Sequence, residues 1–305
     1  MSIARRVKCV SARAFTHPTK KGGGNPVDIF MPSSTITSNE RIKIAKSCSW
    51  ESIVIDNTNS DIPKFHFYMP SGEEVSFCGH AAIGACSFLA NEHSIIEESN
   101  NNVLLQQSTG SISFETAIEG LQYNAHISKN QVELIMNTIH YEQECSNSQH
   151  CSLEDLLSEI GLSNNDVSSD SDTLPVFINS SVARYKTLIP IESIETLHAA
   201  TNPKDPDKFR NICESIDSTG IYLYSICNND EETNEKEEKC ITLECRQFPK
   251  SSGYPEDAAT GIAAGALACS LYKRGINVEY FDILQGTAMN RPSKIKVKID
   301  SYQAE

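Results

Sequence analysis

A glutamate, a cysteine–histidine pair and an aspartate are the residues of this chain whose types and surroundings suit the movement of a proton. Glu51 follows Trp50, the single tryptophan, and opens a short apolar run, Ile53 to Ile55. A carboxylate beside a large apolar ring can have a raised pKa and act as a proton shuttle. A glutamate alone at a helix-to-strand turn would be ordinary surface. His80 sits in Phe77-Cys78-Gly79-His80-Ala81-Ala82, at the start of a helix whose first N–H groups lack partners in the chain. The positive helix end favours a neutral imidazole at His80 and a thiolate at Cys78. A polar ring among alanines and glycine needs a reason, whereas Cys78 serves equally well as core filling. Asp257, in Glu256-Asp257-Ala258-Ala259-Thr260-Gly261, could hold a substrate amine or hydroxyl or act as acid or base. Its ordinary use is to solvate the loop before a helix.

The segments around Gly79 and Gly261 resemble each other. Each follows an alternating strand and leads into a helix start nearly bare of side chains, Ala81-Ala82-Ile83-Gly84 in one and Ile262-Ala263-Ala264-Gly265 in the other. Backbone N–H groups at such turns favour anions. Aligned on the glycines, Cys78 corresponds to Thr260 and His80 to Ile262. The repetition predicts two similar halves with a cleft between them.

The elements that position these residues can be read along the chain. Strands are predicted over 7–15, 27–31, 53–55 and 64–69, with a helix over 39–49 capped by Ser38. A helix runs from Gly79 to about Asn91, and a hairpin pairs 103–107 with 111–114. A second round begins near Leu121, with strands over 121–127, 131–136, 176–179, 184–189, 221–227, 240–248, 280–284 and 294–299. Helices are expected over 153–160, 191–199, 207–216 and 261–274. The glutamate-rich stretch 228–239 reads as a solvated hairpin loop. Helices rich in Ala, Ile, Gly and Cys on every side belong inside. The chain is therefore expected to be α+β, two pseudo-symmetric halves, each a barrel-like, mostly antiparallel sheet around a central helix. The halves span 1–120 and 121–295, with a C-terminal strand over 296–305 joining the first.

Composition narrows the function. The 305 residues suffice for two cores, and a net charge of −14 disfavours nucleic acid and anionic membrane surfaces. No apolar run reaches membrane-spanning length. No apolar core follows Arg5, Arg6 and Lys8, so no secretory signal is expected. The 11 cysteines are scattered, without metal spacing, and read as free thiols in a reducing, cytoplasmic setting. No metal site is expected.

Six motifs recur in an order that resembles the PhzF-like (phenazine biosynthesis) isomerases of the diaminopimelate epimerase-like fold. They are Gly24-Asn25-Pro26, Trp50-Glu51-Ser52, Phe77-Cys78-Gly79-His80-Ala81, Arg246-Gln247-Phe248-Pro249, Glu256-Asp257-Ala258-Ala259-Thr260-Gly261, and Gln285-Gly286 with Arg291-Pro292-Ser293. The resemblance implies an active site between two half-barrels, no metal or organic cofactor, a small carboxylate-bearing substrate and frequent homodimers. It gives Glu51 the place of the general acid/base, and His80 and Asp257 the places of substrate-orienting polar residues. Gly79 and Gly261 match turns whose N–H groups receive a carboxylate, and Asn25, Cys78 and Thr260 join them in substrate binding. The chain departs from the family at Ile262, commonly a small hydroxyl residue, at Ala258, often proline, and at Trp50, commonly serine. The loss of a hydroxyl at Ile262 makes the pocket more apolar.

Three functions follow in descending order. The first is a cofactor-independent isomerase in which Glu51 moves a proton between two carbons on one face. The second is an amino-acid epimerase, racemase or dehydratase using Cys78; opposed bases would be needed, and Thr260 is a poor one at neutral pH. The third is a non-catalytic binding protein on the same scaffold.

Overall fold

The computed structural model describes residues 7–57, 62–98, 110–118, 120–128, 131–145, 152–170, 173–227 and 240–300. The expected strand over 103–107 and the acidic loop 228–239 lie outside these residues. The chain forms two compact units, Met1–Ala14 with Pro26–Asn137, and Phe15–Asn25 with Thr138–Glu305.

The first unit carries β1 (Val7–Ala14), β2 (Asn25–Pro32), α1 (Ser38–Ala45), β3 (Ser52–Asp56), β4 (Lys64–Tyr68), β5 (Glu74–Val75), α2 (Gly79–Glu98), β6 (Gly110–Thr116), β7 (Gln122–Ser128) and β8 (Gln131–Ile135). Among the described residues its sheet runs β1-β2-β3-β4-β6-β7-β8, with β5 paired to β4. The β2–β3 and β4–β6 pairs are parallel and the other registered pairs antiparallel. The sheet curls around α2, which packs on β1, β3, β7 and β8. The reason lies in the sequence of α2: Ala81, Ala82, Ala85 and Cys86 are fully buried, so small side chains let strands approach several sides of the helix. Helix α1 is capped by Thr37 rather than by Ser38. The Thr37 hydroxyl accepts from the Glu40 N–H while the Glu40 carboxylate accepts from the Thr37 N–H, a reciprocal box that leaves Ser38 inside the helix.

The second unit carries β9 (Tyr141–Glu144), α3 (Leu153–Glu159), β10 (Ile178–Ser181), β11 (Lys186–Pro190), α4 (Ile194–Ala199), α5 (Pro206–Ser215), β12 (Gly220–Ile226), β13 (Cys240–Pro249), α6 (Gly261–Lys273), β14 (Tyr280–Gln285) and β15 (Ser293–Lys298). Its sheet runs β15-β14-β13-β12-β11-β10-β9. Alternation along the strands separates two cores. Leu188, Tyr222, Cys245 and Phe281 face α6 with Ala263, Ala264 and Leu267. Ile189, Leu223 and Phe248 join Leu156 and Leu157 of α3, Leu197 of α4 and Phe209 of α5 in the other core.

Two expected boundaries move. The strands expected over 121–127 and 131–136 belong to the first unit, because β7 pairs with β6 from Gly110↔Ile127 to Glu115↔Gln122 and β8 pairs with β7. The division falls between Asn137 and Thr138, not near residue 120. Among the described residues the C-terminal strand does not join the first sheet. β15 pairs antiparallel with β14, from Gln285↔Ser293 to Tyr280↔Lys298, inside the second unit.

Candidate active site

In the first unit, Glu51, Cys78, Gly79 and His80 come together. Glu51 precedes β3, and its carbonyl accepts the Asp28 N–H at 3.2 Å, which fixes it at the parallel β2–β3 junction. His80 is the second residue of α2. The turn before it is seated by Phe77, whose ring stacks on Tyr123 at 4.7 Å and meets Phe67 edge-on at 5.8 Å. Phe114 and Phe65 extend this aromatic stack. Glu51 and His80 are only 6% and 7% exposed. His80 Nε2 stands 4.0 Å from Glu51 Oε2. The ring's Nδ1 lies 3.4 Å from Cys78 Sγ. One imidazole thus lies beside both a buried carboxylate and a thiol, whose Sγ is also 3.9 Å from Nε2. Trp50 is 42% exposed while Glu51 is buried, so the indole gives much of its surface to solvent rather than to a carboxylate pocket.

In the second unit, Asn25, Asp257, Thr260 and Gly261 come together at the start of α6. Asp257 Oδ1 accepts from Asn25 Nδ2 at 2.9 Å, and Oδ2 accepts from the Thr260 hydroxyl at 2.6 Å. Thr260 therefore spends its proton on Asp257 and makes no side-chain cap on α6. Asn25 also donates to the Ala259 carbonyl at 2.9 Å. Gly261 is required by a close approach: a Cβ there would stand 2.9 Å from the Phe15 ring. Ile262 is buried and carries no polar group into the site.

Two residues without a role in the sequence reading hold this loop. Gln285 receives the Tyr222 hydroxyl at 3.0 Å and the Thr260 N–H at 3.2 Å on Oε1, and donates from Nε2 to the Asp257 carbonyl at 2.8 Å. Arg246 grips Glu256 bidentately at 2.8 and 2.7 Å, and its other nitrogen donates to the carbonyls of Leu197, His198 and Ala200. Both residues are buried, so the pair anchors the segment that presents Asp257. The signal for both lay in the Arg246-Gln247-Phe248-Pro249 and Gln285-Gly286 motifs. Among the described residues no group of three His, Cys, Asp or Glu side chains is placed to hold a metal ion.

The model of the phenazine biosynthesis-like PhzC/PhzF family matches residues 12–305. An uncharacterized isomerase of Pasteurella multocida (strain Pm70) is 25% identical over 288 residues, 92% of this chain and 83% of that one. A crystal structure of a PhzF-family phenazine biosynthesis protein from Bacillus anthracis superposes with a TM-score of 0.72 at 19% identity, covering 96% of this chain and 90% of the other. A structure described as a predicted epimerase from Pseudomonas aeruginosa gives 0.68 at 18% identity, covering 97% and 92%. These structures share the α+β fold described above. With its family model spanning nearly every residue, the chain belongs to the phenazine biosynthesis-like PhzC/PhzF family.

Proposed function

We propose that this protein is an isomerase that moves a proton on a small carboxylate-bearing metabolite by acid/base catalysis, without metal or organic cofactor. The observation that carries this reading is the buried Glu51 carboxylate facing His80 Nε2 at 4.0 Å. Burial keeps bulk water away from the carboxylate, and the neighbouring imidazole is placed to orient it. The gap is longer than a hydrogen bond, and such contacts tighten when substrate binds.

Glu51 takes a proton from a substrate carbon, and the electron pair of the broken C–H bond moves into the adjacent carbon–carbon bond. The displaced double-bond electrons take the proton back from Glu51 at a second carbon on the same face. No electrons are gained or lost overall. His80 orients the substrate and the carboxylate. The Gly79 N–H receives a carboxylate oxygen beside Glu51 and His80, and within the second unit Asp257, with Asn25, Thr260 and the Gly261 N–H, is a receptor for a polar group. We further propose a cytoplasmic homodimer, since the ten described cysteines are all free thiols and family members commonly pair.

The Cys78–His80 contact supports a second reading, thiol-based epimerisation. Thr260 weakens it: the hydroxyl standing where a second thiol would be needed is committed to Asp257. A purely binding role leaves the buried Glu51–His80 pair without a use. The test is incubation in D2O with a panel of small unsaturated carboxylic acids, read by proton NMR. Deuterium entering at two carbons of one acid supports the isomerase. Exchange at a single stereogenic carbon supports the epimerase, and no exchange with any acid by the folded protein counts against both.

A further inference from the structure

The second unit buries two hydrogen-bond donors that the proposed reaction does not use. Gln247, on β13, is 1% exposed, and its Nε2 has no hydrogen-bond partner. Buried amide donors in folded proteins are almost always satisfied, so this one signals an absent acceptor. Lys186, the first residue of β11, is 6% exposed. Its ammonium donates to the Thr219 carbonyl at 3.2 Å, an oxygen already receiving the Lys250 N–H. An ammonium has three N–H bonds and is seldom buried with so little acceptance.

The two donors flank one peptide. Lys186 sits one step before the Thr187↔Ile221 pair, beside Gly220, and Gln247 pairs with Tyr222, so both share the sheet face that packs on α6. Gly220 lies on the strand between them, packed tightly against the β13 main chain. It has φ +137, and a Cβ there would meet the Phe248 carbonyl at 2.4 Å and stand 3.1 Å from Gln247 Nε2. Burial pushes the Lys186 amine down to about 8, opposed by the nearby Asp257 carboxylate.

We propose that Lys186 Nζ and Gln247 Nε2 form a receptor for one carboxylate group of a small molecule, each donating to one oxygen. Two donors and a single positive charge match a monoanionic carboxylate. The neighbouring Asp257 disfavours a doubly charged phosphate. This inference stands whether or not Glu51 moves a proton, because it concerns binding alone.

The test is titration of the 15N-labelled full chain with acetate and, in parallel, with inorganic phosphate at matched ionic strength. The side-chain amide of Gln247, assigned by its loss in Gln247→Leu, should shift saturably with acetate and not with phosphate. Lys186→Met should weaken acetate binding at least about tenfold, the worth of one charge-assisted hydrogen bond. Wild-type crystals soaked in acetate give a readout needing no variant: density bridging Nζ and Nε2 is expected. The proposal is overturned by a Gln247 amide unmoved by acetate in the folded protein, by equal response to phosphate, by unchanged affinity in a folded Lys186→Met, or by a lone water on Nε2 in the soaked crystal.

Discussion

The Thr260 hydroxyl donates to Asp257 Oδ2 at 2.6 Å, and this bond sets the aspartate's orientation at the start of α6. Asn25 holds the other oxygen, so the carboxylate is clamped from both sides. Removing the hydroxyl in Thr260→Val should leave the fold intact and free one oxygen of Asp257. Substrate positioning then loosens, and kcat/KM is expected to fall about tenfold, the worth of one hydrogen bond to a charged group. Activity equal to wild type would show that the clamp is structural only.

Arg246 and Glu256 form a buried bidentate pair beneath the same loop. Deleting one partner leaves a buried charge uncompensated, at a cost of about 3–5 kcal/mol. Arg246→Met also strips the donor from three carbonyls around the end of α4. Chemical denaturation should therefore show Arg246→Met less stable than Glu256→Gln, with both well below wild type. Equal midpoints for all three proteins would contradict this placement.

Lys186 predicts an alkaline trend. Its folded value is about 8 against 10.5 for the ordinary lysine, chiefly through burial. Between these values the unfolded chain binds more protons than the folded one, so this residue's contribution to stability rises with pH. Its penalty is full below about pH 8 and is relieved as pH climbs toward 10.5. Lys186→Met should raise Tm at pH 7, and the advantage should shrink by pH 10. A difference independent of pH would place the ammonium in contact with solvent.

The sequence disclosed the two glycine turns and the central helices, because runs of alanine between Gly79 and Ala85 and between Gly261 and Ala268 have no use except close packing. It also disclosed Glu51, His80 and Asp257 as candidates, through chemical type and motif order. The unit boundary was not legible. β7 and β8 alternate like any hairpin, and only their pairing to β6 assigns them. The burial of Lys186 and Gln247 was equally hidden, since a lysine at a strand start reads as solvated until the neighbouring strand closes over it. Gln285 lay in a motif, but its bonds to Thr260 and Asp257 span a helix and a strand that periodicity cannot bring together.

Cys78 lies 3.4 Å from His80 Nδ1, which makes it the test of the competing thiol chemistry. Cys78→Ala should retain most proton transfer, because the carbon acid is served by Glu51. Loss in Cys78→Ala as deep as in Glu51→Gln would move the reaction to the thiol.

The most direct measurement is the rate of deuterium entry from D2O into the substrate for wild type and Glu51→Gln. The variant keeps the shape and the burial but cannot accept a proton from carbon. A fall on the order of 10²–10⁴-fold, with Tm unchanged, is predicted. Exchange in folded Glu51→Gln within about tenfold of wild type, well short of the loss expected for a missing general base, would contradict the account.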